Sequence, residues 1–203
     1  WADMGLGLVS FTNTSTGAPV SWKWTFGDGQ SDNINKNPVH TYSAPGTYIA
    51  TLYTTNAGGC TDSTKRTIIV HPNPKAGFTS SIVCEGAATV FDNGTSTIVL
   101  PDNITSYNWD FGDKEMFSGS NPQHTYSPCG TYPVTLTVTS NHNCSSNIKQ
   151  NVVVNCKPVI DFTATNNTCL ATPTMFTSTG IPTPSAWTWN FGDSNTDALN
   201  QNT

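Results

Sequence analysis

The side chains able to do chemistry fall at regular places along this sequence. Three aspartates follow a Phe-Gly pair: Asp28, Asp113 and Asp193. Two of the four histidines, His40 and His124, each stand two residues before a tyrosine, Tyr42 or Tyr126. A carboxylate beside an imidazole can serve general acid–base catalysis or cation binding. A catalytic pair is needed once per site, however, whereas this one recurs. The recurrence favours packing and hydrogen bonding for His40 and His124. The short aspartates suit the capping of tight-turn amides; ligation of a cation such as calcium is the alternative reading. The sequence contains no nucleophile elbow, phosphate-binding glycine loop or HExxH helix, and nothing singles out a carboxylate pair for glycoside hydrolysis. No catalytic, cofactor-binding or metal-binding residue is therefore assigned.

Strands must position these groups. Trp22, Trp24 and Phe26 are two residues apart, so they share one strand face, with Lys23 and Thr25 on the other. With a Phe two residues further on, these aromatics are expected in a core rather than on a sugar-stacking platform. Tyr132, Val134, Leu136 and Val138 alternate with Thr131, Pro133, Thr135 and Thr137, the pattern of a half-buried antiparallel strand. Ile68-Ile69-Val70 and Val152-Val153-Val154 read as closing strands. Gly27-Asp28-Gly29 and Ala57-Gly58-Gly59 are turn signals. Short strands with a turn every 8 to 12 residues or so predict β-sandwiches.

The pattern is an internal repeat. Trp22-Lys23-Trp24-Thr25-Phe26-Gly27-Asp28-Gly29 returns as Tyr107-Asn108-Trp109-Asp110-Phe111-Gly112-Asp113 and again as Trp187-Thr188-Trp189-Asn190-Phe191-Gly192-Asp193. Asn37-Pro38-Val39-His40-Thr41-Tyr42 returns as Asn121-Pro122-Gln123-His124-Thr125-Tyr126, and Gly46-Thr47-Tyr48 as Gly130-Thr131-Tyr132. The period is about 80 to 85 residues, and the middle copy carries extra residues around Leu100-Pro101-Asp102-Asn103.

Composition narrows the function. The 203 residues include 33 Thr, 21 Asn and 19 Ser, but only 10% are charged, against about 25% in an average domain. A formal net charge of -5 opposes nucleic-acid binding, which needs a basic stripe. No stretch approaches the roughly 18 to 20 apolar residues of a spanning helix. Trp1-Ala2-Asp3-Met4 has neither the basic end nor the apolar run of a signal peptide.

The three linked blocks resemble the PKD (polycystic kidney disease) domain family, whose hallmarks are Trp-x-Phe-Gly-Asp-Gly, Asn-Pro-x-His-x-Tyr and Gly-x-Tyr-x-Val. The first copy matches all three, with Ala50 at the Val of the last, the second has Lys114 for the second Gly of the first motif, and the third has the first motif only, with Ser194 there. The resemblance implies an all-β fold: tandem immunoglobulin-like sandwiches arranged as an extended array. Domains are expected at 1–72, lacking its first strand, at 73–156, complete, and at 157–203, an N-terminal half. The chain then reads as a window cut from a longer protein.

Six cysteines are many for a cytosolic chain without CxxC spacing. Residues 131 to 139 and 147 to 154 read as a hairpin turning near Asn141-His142-Asn143, and in such a hairpin Cys129 and Cys156 face each other at the open end. A Cys129–Cys156 bridge is expected, stabilising by roughly 3 to 4 kcal/mol in the chain-entropy model. In an immunoglobulin-like sandwich Cys84 and Cys144 are expected at one end, giving Cys84–Cys144. Cys169 matches Cys84, with its partner beyond Thr203. Cys60 matches Cys144, but Met4 stands where its partner would. The competing zinc reading lacks short Cys/His clustering.

Two function classes follow. One is a non-catalytic structural and adhesive spacer of a long extracellular or cell-surface protein. Copies with a Cys near the first strand and a Gly-Gly-Cys or Asn-Cys hairpin tip resemble those of large Bacteroidetes-type adhesins, which implies type IX secretion, adhesion and gliding motility. The other is an accessory segment of a secreted polysaccharide- or protein-degrading enzyme. Partners are expected among neighbouring repeats, other surface proteins or neutral glycans, since low charge leaves no steering field. Pro72-Asn73-Pro74 and Lys157-Pro158 are short, stiff junctions. The apolar insertion Ile98-Val99-Leu100-Pro101-Asp102 either binds a partner or packs on a neighbouring domain.

Overall fold

The computed structural model describes residues 2–3, 7–164, 174–192, 194 and 196–197. Trp1, Met4, Cys169 and Asp193 lie outside the described residues. Every regular element among the described residues is a strand, the expected all-β class. By contacts the chain forms two compact units. One comprises Trp1–Thr79, Phe91–Pro122 and Val134–Gln150; the other comprises Ser80–Val90, Gln123–Pro133 and Asn151–Thr203.

In the first repeat, one sheet orders Ala2–Asp3, Leu8–Ser10 and Val39–Thr41. The other orders Ser31–Asp32, Pro19–Thr25, Gly46–Asn56 and Thr61–Val70. The apolar side chains of both sheets meet in one core, which holds Val9, Phe11, Trp24, Phe26, Leu52 and Ile68 among others. Trp24 lies opposite Leu52 in the antiparallel register. The alternation explains the burial: Trp24 and Phe26 are buried, Lys23 and Thr25 are not, and Trp22 is half-buried against the core edge.

The second repeat has the same plan. One sheet orders Gln123–Thr125, Ala88–Asp92 and Thr79–Ser80. The other orders Met116–Ser118, Ile104–Asp110, Gly130–Ser140, Ser145–Asn155 and Val83–Cys84. Trp109 faces Leu136 as Trp24 faces Leu52. Both repeats also share a register shift near the start of the Trp strand, at Pro19/Ser21 and at Ile104/Ser106. Val134, Leu136 and Val138 are fully buried and alternate with partly exposed residues. In the third repeat Val159–Ala164 pairs with Phe176–Ile181, and Trp189–Asn190 pairs with Thr196–Asp197.

The cysteines divide. Cys129 and Cys156 form a disulfide at the open end of the hairpin, with Cα atoms 4.8 Å apart. The expected Cys84–Cys144 bridge does not form, and both thiols are free. Val83–Cys84 runs parallel to the last strand and pairs with Val154 and Asn155. Cys144 precedes the other end of that strand, Ser145–Asn155. An extended run of that length spans about 35 Å, whereas a disulfide tolerates a Cα separation of at most about 7 Å. Cys84 therefore lies beside the hairpin's open end, not its tip. Cys60 is free and exposed.

Candidate functional site

The recurring Asp, His and Tyr of the first repeat form a closed chain of contacts. The strand Pro19–Thr25 ends in a turn whose Gly27 has φ +89° and lies so near the backbone of Ile49 that a Cβ would meet its nitrogen at 2.7 Å. Only glycine fits there. Asp28 follows, and its Oδ1 accepts the Gln30 amide at 3.0 Å. Its Oδ2 lies 2.7 Å from His40 Nε2, with the two side chains 14% and 8% exposed. The His40 ring stacks on Phe26 at 3.9 Å, 4° from parallel. Tyr42 Oη donates to the Phe26 carbonyl at 2.9 Å, its ring stacks on Tyr48, and Tyr48 Oη donates to the Ala44 carbonyl. Both carboxylate oxygens are thus engaged, and the imidazole is sandwiched among aromatic rings. The arrangement ties the Gly-Asp turn to the strand Val39–Thr41.

In the second repeat the turn contact and the aromatic contacts each recur within their own compact unit. Asp113 Oδ1 accepts the Glu115 amide at 3.0 Å. His124 meets Tyr126 edge-on, Tyr126 stacks on Tyr132 at 4.1 Å, and Tyr132 Oη donates to the Pro128 carbonyl. Trp109 and Phe111 are buried, and Gly112 has φ +81°. In the third repeat Trp189 and Phe191 stack in the same relation, and Gly192 has φ +80°. Asn13 and Asn93, which sequence reasoning passed over, are also part of this frame. Asn13 N donates to Asn37 Oδ1 at 2.9 Å, and Asn93 and Asn121 exchange two such bonds. Their signal was present: the Asn-Pro motif needs a backbone partner.

A second cluster breaks the repeat. His71 Nδ1 lies 3.1 Å from Asp102 Oδ2, and His142 Nε2 lies 3.5 Å from Asp102 Oδ1. The two imidazoles stack at 3.4 Å, 13° from parallel. Asp102 is 5% exposed in its side chain, His71 25% and His142 40%. Three elements supply the residues: His71 follows the strand Thr61–Val70, Asp102 lies in the insertion, and His142 lies at the hairpin tip. Asn141 N donates to the Asn103 carbonyl at 3.0 Å, and Asn103 N donates to Asn141 Oδ1 at 3.1 Å, pinning insertion to tip. Val99 and Leu100 of the same insertion stay exposed. Sequence spacing alone could not join residues 71, 102 and 142. Their shared sign is that each lies where the copies differ.

Twin sandwiches built on this frame define the class, and the comparisons agree. The PKD domain family matches residues 8–71 and 69–156, and the chain belongs to it. Among curated proteins it is 27% identical to human Polycystin-1 over 160 residues, 66% of this chain and 4% of that protein. It is 36% identical to Collagenase ColA of Clostridium perfringens over 104 residues, 50% of this chain and 9% of that protein. The chain thus spans only a small part of both relatives. Among solved structures, the PKD1 domain of the Vibrio cholerae metalloprotease PrtV is 35% identical, with a TM-score of 0.37 over 41% of this chain and 98% of that one. The PKD1 domain of Vibrio anguillarum Epp is 28% identical, with a TM-score of 0.38 over 42% and 96%.

Proposed function

We propose that this segment is a non-catalytic structural and adhesive spacer in an extracellular or cell-surface protein of the Bacteroidetes adhesin type. The carrying observation is the closed Asp28–His40–Phe26–Tyr42 chain of contacts. In the first repeat the groups that could do acid–base chemistry are held against one another in the service of the turn. Neighbouring repeats, other surface proteins and neutral glycans are the partners this reading names. The purified chain is expected to turn over no polysaccharide or protein substrate, while His40→Ala lowers its melting temperature. Turnover that His40→Ala removes at unchanged melting temperature would overturn the reading.

A second reading is favoured by the similarity to Collagenase ColA and to a PKD1 domain of the metalloprotease PrtV. In it the segment is a non-catalytic accessory of a secreted degradative enzyme. Replacing residues 8–156 in the full-length protein by unrelated immunoglobulin-like repeats of equal length separates the two. A spacer keeps cell attachment after the exchange. An accessory module loses binding to, or degradation of, the insoluble substrate.

A further inference from the structure

We propose that His71, Asp102 and His142 form a binding site for one divalent transition-metal ion of the zinc class. Their donor atoms, two imidazole nitrogens and one carboxylate oxygen, lie within 4.8 Å of one another. In a tetrahedral zinc site with bonds of about 2.0–2.1 Å, donors stand about 3.3 Å apart. His71 Nδ1 stands 3.1 Å from Asp102 Oδ2 and His142 Nε2 stands 3.5 Å from Asp102 Oδ1, so each imidazole lies near that spacing from a different oxygen of the one carboxylate. The two rings lie 13° from parallel, so one of them must rotate out of the stack for both lone pairs to point at one ion. Water can take the fourth position, since His142 is 40% exposed.

The donor set selects the ion. Calcium takes six or more oxygens, and magnesium keeps an oxygen octahedron. Two imidazoles and a carboxylate suit zinc, with nickel and copper as chemical neighbours. The contrast with His40 shows why these residues do more than tie loops together. There one imidazole meets one carboxylate and stacks on Phe26. Here two imidazoles in face-to-face contact aim at one buried carboxylate. A cation held by both imidazole nitrogens would neutralise Asp102.

The reciprocal Asn103–Asn141 hydrogen bonds hold two of the donors in place before any metal arrives, which lowers the ordering cost of binding. The site also belongs to this place in the chain. A shift by the 84 residues between His40 and His124 puts Asn155 opposite His71 and Gly58 opposite His142. An ion here would clasp the end of the strand Thr61–Val70, the insertion and the hairpin tip, all within the first compact unit.

The test uses the whole chain with Cys60→Ser, Cys84→Ser, Cys144→Ser and Cys169→Ser, so that only the Cys129–Cys156 bridge remains and no thiol takes the metal. The protein is stripped with EDTA and titrated with zinc sulfate. One equivalent is expected to bind, and the melting temperature to rise by roughly 5–10 °C at a hundredfold excess over Kd. Imidazole NMR signals of His71 and His142 move, those of His40 and His124 stay, and calcium chloride does nothing. Asp102→Asn and His142→Gln each weaken zinc binding by about tenfold or more; metal-free melting curves separate this from lost stability. The proposal falls if zinc moves neither the melting temperature nor the His71 and His142 signals. It also falls if calcium acts equally well, or if both variants bind zinc undiminished.

Discussion

At Asp28 the competing forces can be named in order. Burial alone would raise its pKa, but the Gln30 amide and then the His40 hydrogen bond and charge outweigh it and hold the carboxyl below 3.8. A carboxyl with a lowered folded-state pKa stabilises above its unfolded value, and that stability is lost as pH falls through the folded value. Stability should therefore decline below about pH 4, and Asp28→Asn should flatten that decline; urea titrations between about pH 6 and 2 check both. Tyr42 governs the opposite limb. Burial first, then the charges of Asp28 and Tyr48, push its pKa up to about 12. The unfolded tyrosine ionises near 10, so stability present below that pH is lost as pH rises towards 12. Tyr42→Phe should remove this alkaline limb and cost about 1–2 kcal/mol at neutral pH, because the buried Phe26 carbonyl loses its donor.

Turns and strands set the next scale. The position after Asp28 has φ +91° at Gly29, +84° at Lys114 and +74° at Ser194. A side chain there costs about 1 kcal/mol relative to glycine. Nothing lies within 4 Å of a Cβ at Gly29, so the cost is conformational rather than steric. Lys114→Gly should accordingly raise stability by about 1 kcal/mol at unchanged m-value in urea unfolding. These turns and the strand faces were legible in the sequence, because a period of two and a Gly-Asp-Gly turn are local signals. So was the Cys129–Cys156 bridge, since hairpin register follows from counting. Cys84 was misread because its neighbours do not say which way a two-residue strand runs; the parallel pairing with Val154 and Asn155 is a tertiary choice. The Asp102 cluster stayed hidden for the same reason: its three members come from an insertion, a strand end and a hairpin tip, and repetition does not mark them.

The all-β PKD repeats make a repeated module, and the proposed spacer role requires that module to bear tension. In the second repeat Val83–Cys84 runs parallel to Val154–Asn155, so opposed pulling on the two ends shears their hydrogen bonds together instead of opening them singly. The disulfide spans a sequence separation of 27 residues and shields about 90 Å of contour from extension. Single-molecule pulling on the whole chain tests this mechanical role. Discrete unfolding events are expected, one of which lengthens by about 90 Å once a reductant opens Cys129–Cys156. Smooth extension at negligible force, or events that reductant leaves unchanged, would contradict it.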